Sequence, residues 1–263
     1  MLNYISAEWY KLRHTRGIFV ALGILMFLII TLFLPAFWYR DPTTMEPNRR
    51  ITMELYVAAY LAALLLGFFL APPFAIRAFD DQYGRGTMKN EVIFGIPRGR
   101  IYLGKLTFGA LAGTVAAALV LAFYLLLCLL TGGLGEEYPL RYLDLCVRGT
   151  LMAYPLWLAS FSLAFFLQAV MRNSAGAVAV GYLILMFCLP ISLVGFGEVA
   201  NLSPVNYFFD RLFFAAPFRR IYGGMDVEQG ILAGMGYSWL VGLGWVAVTT
   251  LAGLLVFSRK EIN

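Results

Sequence analysis

The sequence predicts an all-α integral membrane protein with six transmembrane helices. Hydrophobic residues make up 61% of the 263 positions and charged residues only 13%, about half of the charged fraction that is usual in soluble domains. A soluble chain of this composition would expose large apolar patches, whereas lipid is the preferred solvent of the same side chains. The formal net charge of +5 therefore predicts membrane orientation rather than nucleic-acid binding.

Six apolar stretches are long enough to cross a hydrocarbon core about 30 Å thick, which a helix of about 20 residues spans. The stretches are residues 18–38, 55–76, a part of 106–134, 149–171, 173–197, and a part of 230–258 centred on 237–257. The first is too long for a signal peptide and has no A-x-A cleavage site, so we expect a permanent anchor. The pattern Gly109-x-x-x-Gly113 in the third stretch predicts close packing against another helix.

The basic residues predict that both termini are cytoplasmic. With the N-terminus inside, more Lys and Arg residues flank the spans on the inner side than on the outer side, and most of the acidic residues lie outside. This is the distribution that orients membrane proteins. Residues 1–16 carry an apolar stripe of Leu2, Ile5, Trp9 and Leu12 at helical spacing, which predicts an interfacial elbow helix. Residues 198–229 are rich in aromatic side chains, and we expect interfacial or re-entrant helices there on the outer side.

The charged cytoplasmic loop between the second and third spans, residues 77–105, contains a predicted short helix over residues 88–94. Thr87 can cap its start, Gly95 can end it, and Pro97 prevents it from resuming. The helix has an apolar side surrounded by residues of both charges. It is interpreted as a docking element for a soluble partner, with a plain solvated linker as the alternative.

The residue types of the spans exclude several chemistries. The cores of the six stretches contain no Asp, Glu, Lys, Arg or His. Proton- and ion-coupled transporters require such residues within their spans. Glu136, Glu137 and Arg141 match the E-E-x-x-x-R pattern of an intramembrane metalloprotease, but the only histidine is His14, in the N-terminal segment. Cys128 and Cys146 could form a disulfide or could be isolated small apolar residues. Neither a catalytic nor a metal site is predicted.

Several segments resemble the permease subunits of ABC exporters of the ABC-2 type. Between the second and third spans these are Gly86-Thr87-Met88-Lys89-Asn90, Gly95-Ile96-Pro97-Arg98, Ile101-Tyr102 and Lys105, and before the first span Glu8-x-x-Lys11-x-Arg13. The likeness extends over the whole chain as a single transmembrane domain, residues 1–263. The GT-x-KN and GI-x-R forms resemble the branch of bacitracin and lantibiotic export and immunity permeases.

The resemblance implies a bacterial plasma-membrane exporter that works as a dimer with a second copy or a sister permease. It also implies cytosolic ATPase subunits that hold ATP and Mg²⁺, so that this chain binds no cofactor itself; it has no G-x-x-x-x-G-K-[ST] loop. The implied ATPase-coupling residues are Glu8, Lys11, Asp80, Asp81, Gly86, Thr87, Lys89, Asn90, Glu91 and Arg98. The candidate outer-gate residues, from the aromatic segment, are Tyr207, Phe208, Phe209, Phe213 and Phe214. A non-transporting membrane scaffold and, less in keeping with the residues, an intramembrane protease are the alternatives.

Overall fold

The computed structural model of the chain describes residues 9–10, 16–38, 60, 64, 67–84, 93, 95–130, 139–171, 175–185, 212–213 and 227–259, and the structural statements below concern these residues. Their regular elements are helices. In chain order they are α1 (Arg16–Trp38), a 3₁₀ turn (Gly67–Leu70), α2 (Ala71–Gly84), α3 (Arg98–Leu130), α4 (Pro139–Met171), α5 (Ala175–Leu183) and α6 (Val227–Arg259).

Three helices in the described part of the chain are long and apolar enough to cross a membrane. They are Arg98–Leu126 in α3, Leu143–Met171 in α4 and Gly234–Arg259 in α6, and Leu22–Thr31 and Gly67–Phe79 are shorter apolar helices. The predicted all-helical membrane class is therefore confirmed. The count of six spans stays a prediction, as does the elbow helix, of which only Trp9 and Tyr10 are described, both as helical.

α4 is the central helix of the bundle. Of the apolar 18-residue window that marks its candidate span, 72% of the residues are buried inside the protein, against 28% of the corresponding windows of α3 and α6. The most extensive helix contact is between α4 and α6. A Cβ atom placed on Gly242 of α6 would lie 2.6 Å from the carbonyl carbon and oxygen of Pro155 in α4. The two backbones therefore touch because Gly242 has no side chain.

The close packing predicted for Gly109 and Gly113 is confirmed, and its partner is α4. A Cβ atom at either position would collide with a phenylalanine ring, that of Phe165 at Gly109 and that of Phe161 at Gly113. The two glycines lie one helical turn apart on α3, and the two rings one turn apart on α4. Small residues thus let large rings fill the space between α3 and α4.

Hydrogen bonds between segments satisfy several of the polar groups that lie inside the bundle. The indole Nε1 of Trp157 donates to the Leu64 carbonyl at 3.0 Å, and the Tyr182 hydroxyl donates to the Phe68 carbonyl at 3.0 Å. Hydroxyl pairs also form between side chains, and they are Tyr60 with Thr150, Ser160 with Tyr182, and Ser162 with Thr249. Such pairing is required because lipid offers a buried polar group no alternative partner.

The helices extend beyond the predicted spans. α2 continues through Arg77 to Gly84 and α3 begins at Arg98, so both ends of the predicted loop 77–105 are helical. α4 begins at Pro139, ten residues before the predicted start of the fourth span at 149. Cys146 is buried on α4, but the side chain of Cys128 lies outside the described residues, so the pairing of these cysteines stays open.

Candidate functional site

Three helix ends converge around a buried lysine and three aromatic rings. The helix-end cluster consists of Phe79 near the end of α2, Tyr102 and Lys105 near the start of α3, and Phe257 near the end of α6; none of the four side chains is more than 2% exposed. The ring centroids are 6.4 Å apart for Phe79 and Tyr102, 6.0 Å for Phe79 and Phe257, and 5.8 Å for Tyr102 and Phe257. These separations lie within the range of favourable aromatic pairs.

Lys105 joins α3 to α2. Its Nζ donates a hydrogen bond to the Ala78 carbonyl and lies 5.1 Å from the centroid of the Phe79 ring. A buried ammonium group requires such partners, and a carbonyl dipole and an aromatic face both attract a cation. The aliphatic part of the side chain packs within the apolar interior, so the residue is both a packing and a polar element.

Arg98 joins the start of α3 to the end of α6. Its Nη1 donates to the Ser258 carbonyl at 3.1 Å. Carbonyl groups in the last turn of a helix have no partner within the helix, and a cation there is favourable to the helix dipole. A Cβ atom on Gly99 would be 3.6 Å from Leu254, an ordinary van der Waals contact. The start of α3 therefore packs directly along the last turns of α6.

The Tyr102 hydroxyl is a buried polar group for which the described part of the chain supplies no hydrogen-bond partner. The phenol ring lies against the backbone of Gly253 on α6, where any Cβ atom would collide with it. An unsatisfied buried hydroxyl costs free energy, so the fit of the ring against α6 is maintained in spite of this group.

Of the predicted coupling residues, Arg98 is the one whose contacts are described, and it is the first residue of α3. Asp80 and Asp81 lie in the last turns of α2, and their side chains lie outside the described residues. The remaining predicted coupling residues also lie outside, and they are Glu8, Lys11, Gly86, Thr87, Lys89, Asn90 and Glu91.

The structure describes Ile93, which lies within the predicted docking helix, and Gly95, which directly follows it. Ile93 is helical and its side chain is 78% exposed. Gly95 has φ of 82°, the left-handed conformation that commonly follows the end of a helix. The prediction that Gly95 ends a helix is in keeping with this geometry, but the extent of that helix, residues 88–94, stays a prediction.

Phe213 is the candidate outer-gate residue that the structure describes, and it packs on α6. It is 5% exposed, and its ring lies edge-to-face with Trp245 at a centroid separation of 5.9 Å. The indole Nε1 of Trp245 donates to the Leu212 carbonyl at 2.8 Å. Trp245 is about 16 Å along the candidate span from Gly234, at 1.5 Å per residue. The pair 212–213 is thus held beside the middle of a membrane-capable helix. The other gate candidates, Tyr207, Phe208, Phe209 and Phe214, lie outside the described residues.

Sequence reasoning missed Lys105 as an interior residue and placed it at the end of a loop. The helix Arg98–Leu126 includes it, because α3 begins well before the apolar stretch. Asp144 and Arg148 are likewise included in the span of α4; they form an ion pair at 2.6 Å, with side chains 51% and 40% exposed. The available signal for Lys105 was its position directly before an apolar run and one turn after Tyr102.

Comparison with known families gives one match over most of the chain. A family model described as "ABC-2 family transporter protein" matches residues 4–201. No curated protein and no solved structure gives a match. The matched range includes α1 to α5 and the predicted docking loop, and α6 follows it.

Proposed function

The chain belongs to the ABC-2 family of transporter proteins, and from that membership we propose that it is the membrane-spanning permease subunit of an ATP-binding cassette exporter. The observation that carries the proposal is the family match over residues 4–201. The apolar helices of α3, α4 and α6 supply the membrane domain that such a subunit requires.

The energy for transport comes from separate cytosolic ATPase subunits. The sequence contains no G-x-x-x-x-G-K-[ST] loop for binding ATP, so ATP and Mg²⁺ are bound by the partner and this chain is not an enzyme. The cores of the predicted spans contain no Asp, Glu, Lys, Arg or His, which argues against coupling to an ion gradient.

The ATPase docks on the loop between α2 and α3. Ile93 supports this proposal, since it is an apolar side chain that is 78% exposed in a charged segment outside the membrane-capable helices. Gly95, with its positive φ, turns the chain after it, and Pro97 accepts hydrogen bonds from the Arg100 and Ile101 amides where α3 begins. The loop thus enters directly into the helix that carries Lys105.

The cargo is an amphipathic molecule, such as an antimicrobial peptide, an antibiotic or a lipid-like compound, and it moves outward. An uncharged path favours such a molecule over a free ion. The path lies between two permease subunits, either two copies of this chain or this chain and a sister permease, in the plasma membrane of a bacterium. Both termini are cytoplasmic, and the aromatic outer segment that includes Phe213 closes the path.

The test is copurification and ATP hydrolysis. The chain is expressed with the ABC ATPase subunits of the same organism, and the complex is reconstituted in proteoliposomes with MgATP. We expect vanadate-sensitive hydrolysis that depends on this subunit. We also expect Ile93→Glu to abolish both copurification and stimulated hydrolysis, because a charge replaces the apolar docking contact, while the conservative Ile93→Val variant retains both.

Two outcomes contradict the proposal at different levels. If Ile93→Glu binds and stimulates the ATPase normally, the docking surface lies elsewhere. If the wild-type chain neither binds nor stimulates an ATPase, the exporter assignment is wrong and the non-transporting scaffold takes its place. Insertion of each variant into the membrane is measured in parallel, so that loss of the protein is not read as loss of docking.

A further inference from the structure

We propose that Lys105 is a positioning residue that holds the end of α2 against the start of α3 and, through the Phe79 ring on which Phe257 packs, keeps the end of α6 in the same rigid unit. This inference rests on the proposed function. In the exporter, a push on the loop between α2 and α3 is then delivered to α6 rather than absorbed by bending at the loop ends.

The first step of the argument is the bond across the loop. Ala78 and Lys105 are 27 residues apart in the chain, yet the lysine Nζ donates to the Ala78 carbonyl and faces the Phe79 ring at 5.1 Å. The lysine is fully buried. If α2 moved away from α3, the ammonium group would lose both described partners inside an apolar region. Separation of the two helices is therefore strongly opposed.

The second step is the attachment of α6, which uses different contacts. The Phe257 ring packs on both Phe79 and Tyr102. The Arg98 guanidinium binds the Ser258 carbonyl at 3.1 Å. The Tyr102 ring fits against Gly253, which has no side chain to displace it. α6 is thus joined to both sides of the loop, through rings to α2 and through rings and a hydrogen bond to α3.

The third step is the location of the unit. It brackets the loop on both sides, because α2 ends at Gly84 and α3 begins at Arg98. A force on the loop reaches both flanking helices, and a rigid join between them converts it into a displacement of the unit as a whole. α6 carries the contact of Trp245 with Leu212 and Phe213, so the displaced helix is also the one that holds the outer segment.

The first experiment tests rigidity with Lys105 in place. Gly99→Cys and Leu254→Cys are introduced into a chain whose three native cysteines have been replaced, and a short bis-maleimide joins them. The site is suitable because a Cβ atom on Gly99 lies 3.6 Å from Leu254. We expect the cross-linked complex to retain the full permease-stimulated ATP hydrolysis and vanadate sensitivity. Loss of stimulation on cross-linking would show that α3 and α6 move apart during the cycle and would overturn the proposal.

The second experiment removes the lysine. Lys105→Met keeps the length of the side chain without its charge and donor, Lys105→Arg keeps both, and Thr107→Val is the matched control. Within the described part of the chain, the Thr107 hydroxyl bonds only the Leu103 and Gly104 carbonyls of its own helix. We expect Lys105→Met to bind the ATPase normally but to lose stimulation by about fivefold or more. It should also cross-link positions 99 and 254 more slowly, because a displaced Phe79 ring no longer supports Phe257 on α6. Lys105→Arg restores both, and Thr107→Val leaves both unchanged.

The outcomes separate this inference from the proposed function. A wild-type chain that has no ATPase partner refutes the exporter, while the rate of cross-linking in Lys105→Met still reports on the rigid unit. A wild-type chain that is coupled, together with a Lys105→Met variant that couples and cross-links at wild-type levels, overturns the positioning role alone. If Lys105→Met fails to insert, the proposal is tested with Lys105→Arg and with the chain that keeps Lys105 and is cross-linked between positions 99 and 254. Loss of stimulation in that cross-linked chain overturns it.

Discussion

The contact between Gly242 and Pro155 predicts that alanine at position 242 destabilises the bundle. A Cβ atom there would lie 2.6 Å from the Pro155 carbonyl carbon and oxygen, whereas non-bonded carbon atoms prefer about 3.5–4.0 Å. Both colliding atoms are backbone, so no side chain can rotate away. α4 and α6 must separate by about 1 Å, which costs a quarter to a half of the dispersion energy at the contacts that open.

The magnitude follows from comparison with a matched glycine. Forcing an extra methyl group into a packed interior costs about 1–3 kcal/mol, and alanine regains about 1 kcal/mol of helix propensity relative to glycine. Gly244 lies two residues away on the same helix, and a Cβ atom there meets nothing within 4 Å. Gly244→Ala therefore receives the propensity gain without the collision. The two variants should differ in free energy of unfolding by about 1–3 kcal/mol.

The assay is reversible unfolding in detergent or bicelles, followed for both variants and the wild type under the same conditions. We expect Gly242→Ala to be the least stable of the three and Gly244→Ala to be equal to or above the wild type. A difference between the two variants of less than about 0.5 kcal/mol, the usual spread for harmless substitutions, would refute the close backbone contact between α4 and α6.

Three further predictions use the same unfolding measurement. Trp245→Phe should cost about 0.6 kcal/mol, an average value for a side-chain hydrogen bond inside a membrane protein, because the ring remains but the donor to the outer segment is lost; Trp239→Phe, on the same helix, is the control, and an equal loss in both would contradict the role of that bond. Tyr102→Phe should raise stability by about 1 kcal/mol, since it removes a buried hydroxyl without a described partner, and a clear loss would show that the hydroxyl is bonded. Asp144→Asn should change stability by less than about 0.5 kcal/mol if the half-exposed ion pair with Arg148, in the first turns of the candidate span, faces water, and a larger loss would show that the pair faces lipid or the protein interior.

The helical membrane class could be predicted because it depends on composition and on the length of apolar stretches. Both are properties of the linear chain, and lipid leaves helices and closed barrels as the permitted spanning structures. The turn at Gly95 was predictable because it is also a local property of the chain. A residue that ends a helix commonly takes the left-handed conformation, and glycine adopts that conformation most easily. The packing of Gly109 and Gly113 was anticipated from their spacing, although not the identity of the rings that fill the space.

The helix boundaries were less predictable, because apolar content marks the bilayer rather than the helix. α3 begins at Arg98 and α4 at Pro139, and both include charged residues that hydropathy assigns to loops. A helix can continue past the apolar stretch wherever its polar residues find partners, as Arg98 does at the Ser258 carbonyl. Those partners are distant in the chain, so no local pattern reveals them.

The sequence by itself determined the solvent in which this protein folds, the helical class and the resemblance to ABC-2 permeases that the family match bears out. Only the tertiary structure decided that Lys105 lies inside the bundle and that Gly242 packs directly against the backbone of α4. The physical reason is the range of the interactions. Each segment's own composition determines whether it enters lipid. The group that contacts a buried lysine, or that packs against a glycine, belongs to another helix, and the two helices meet only in the folded protein.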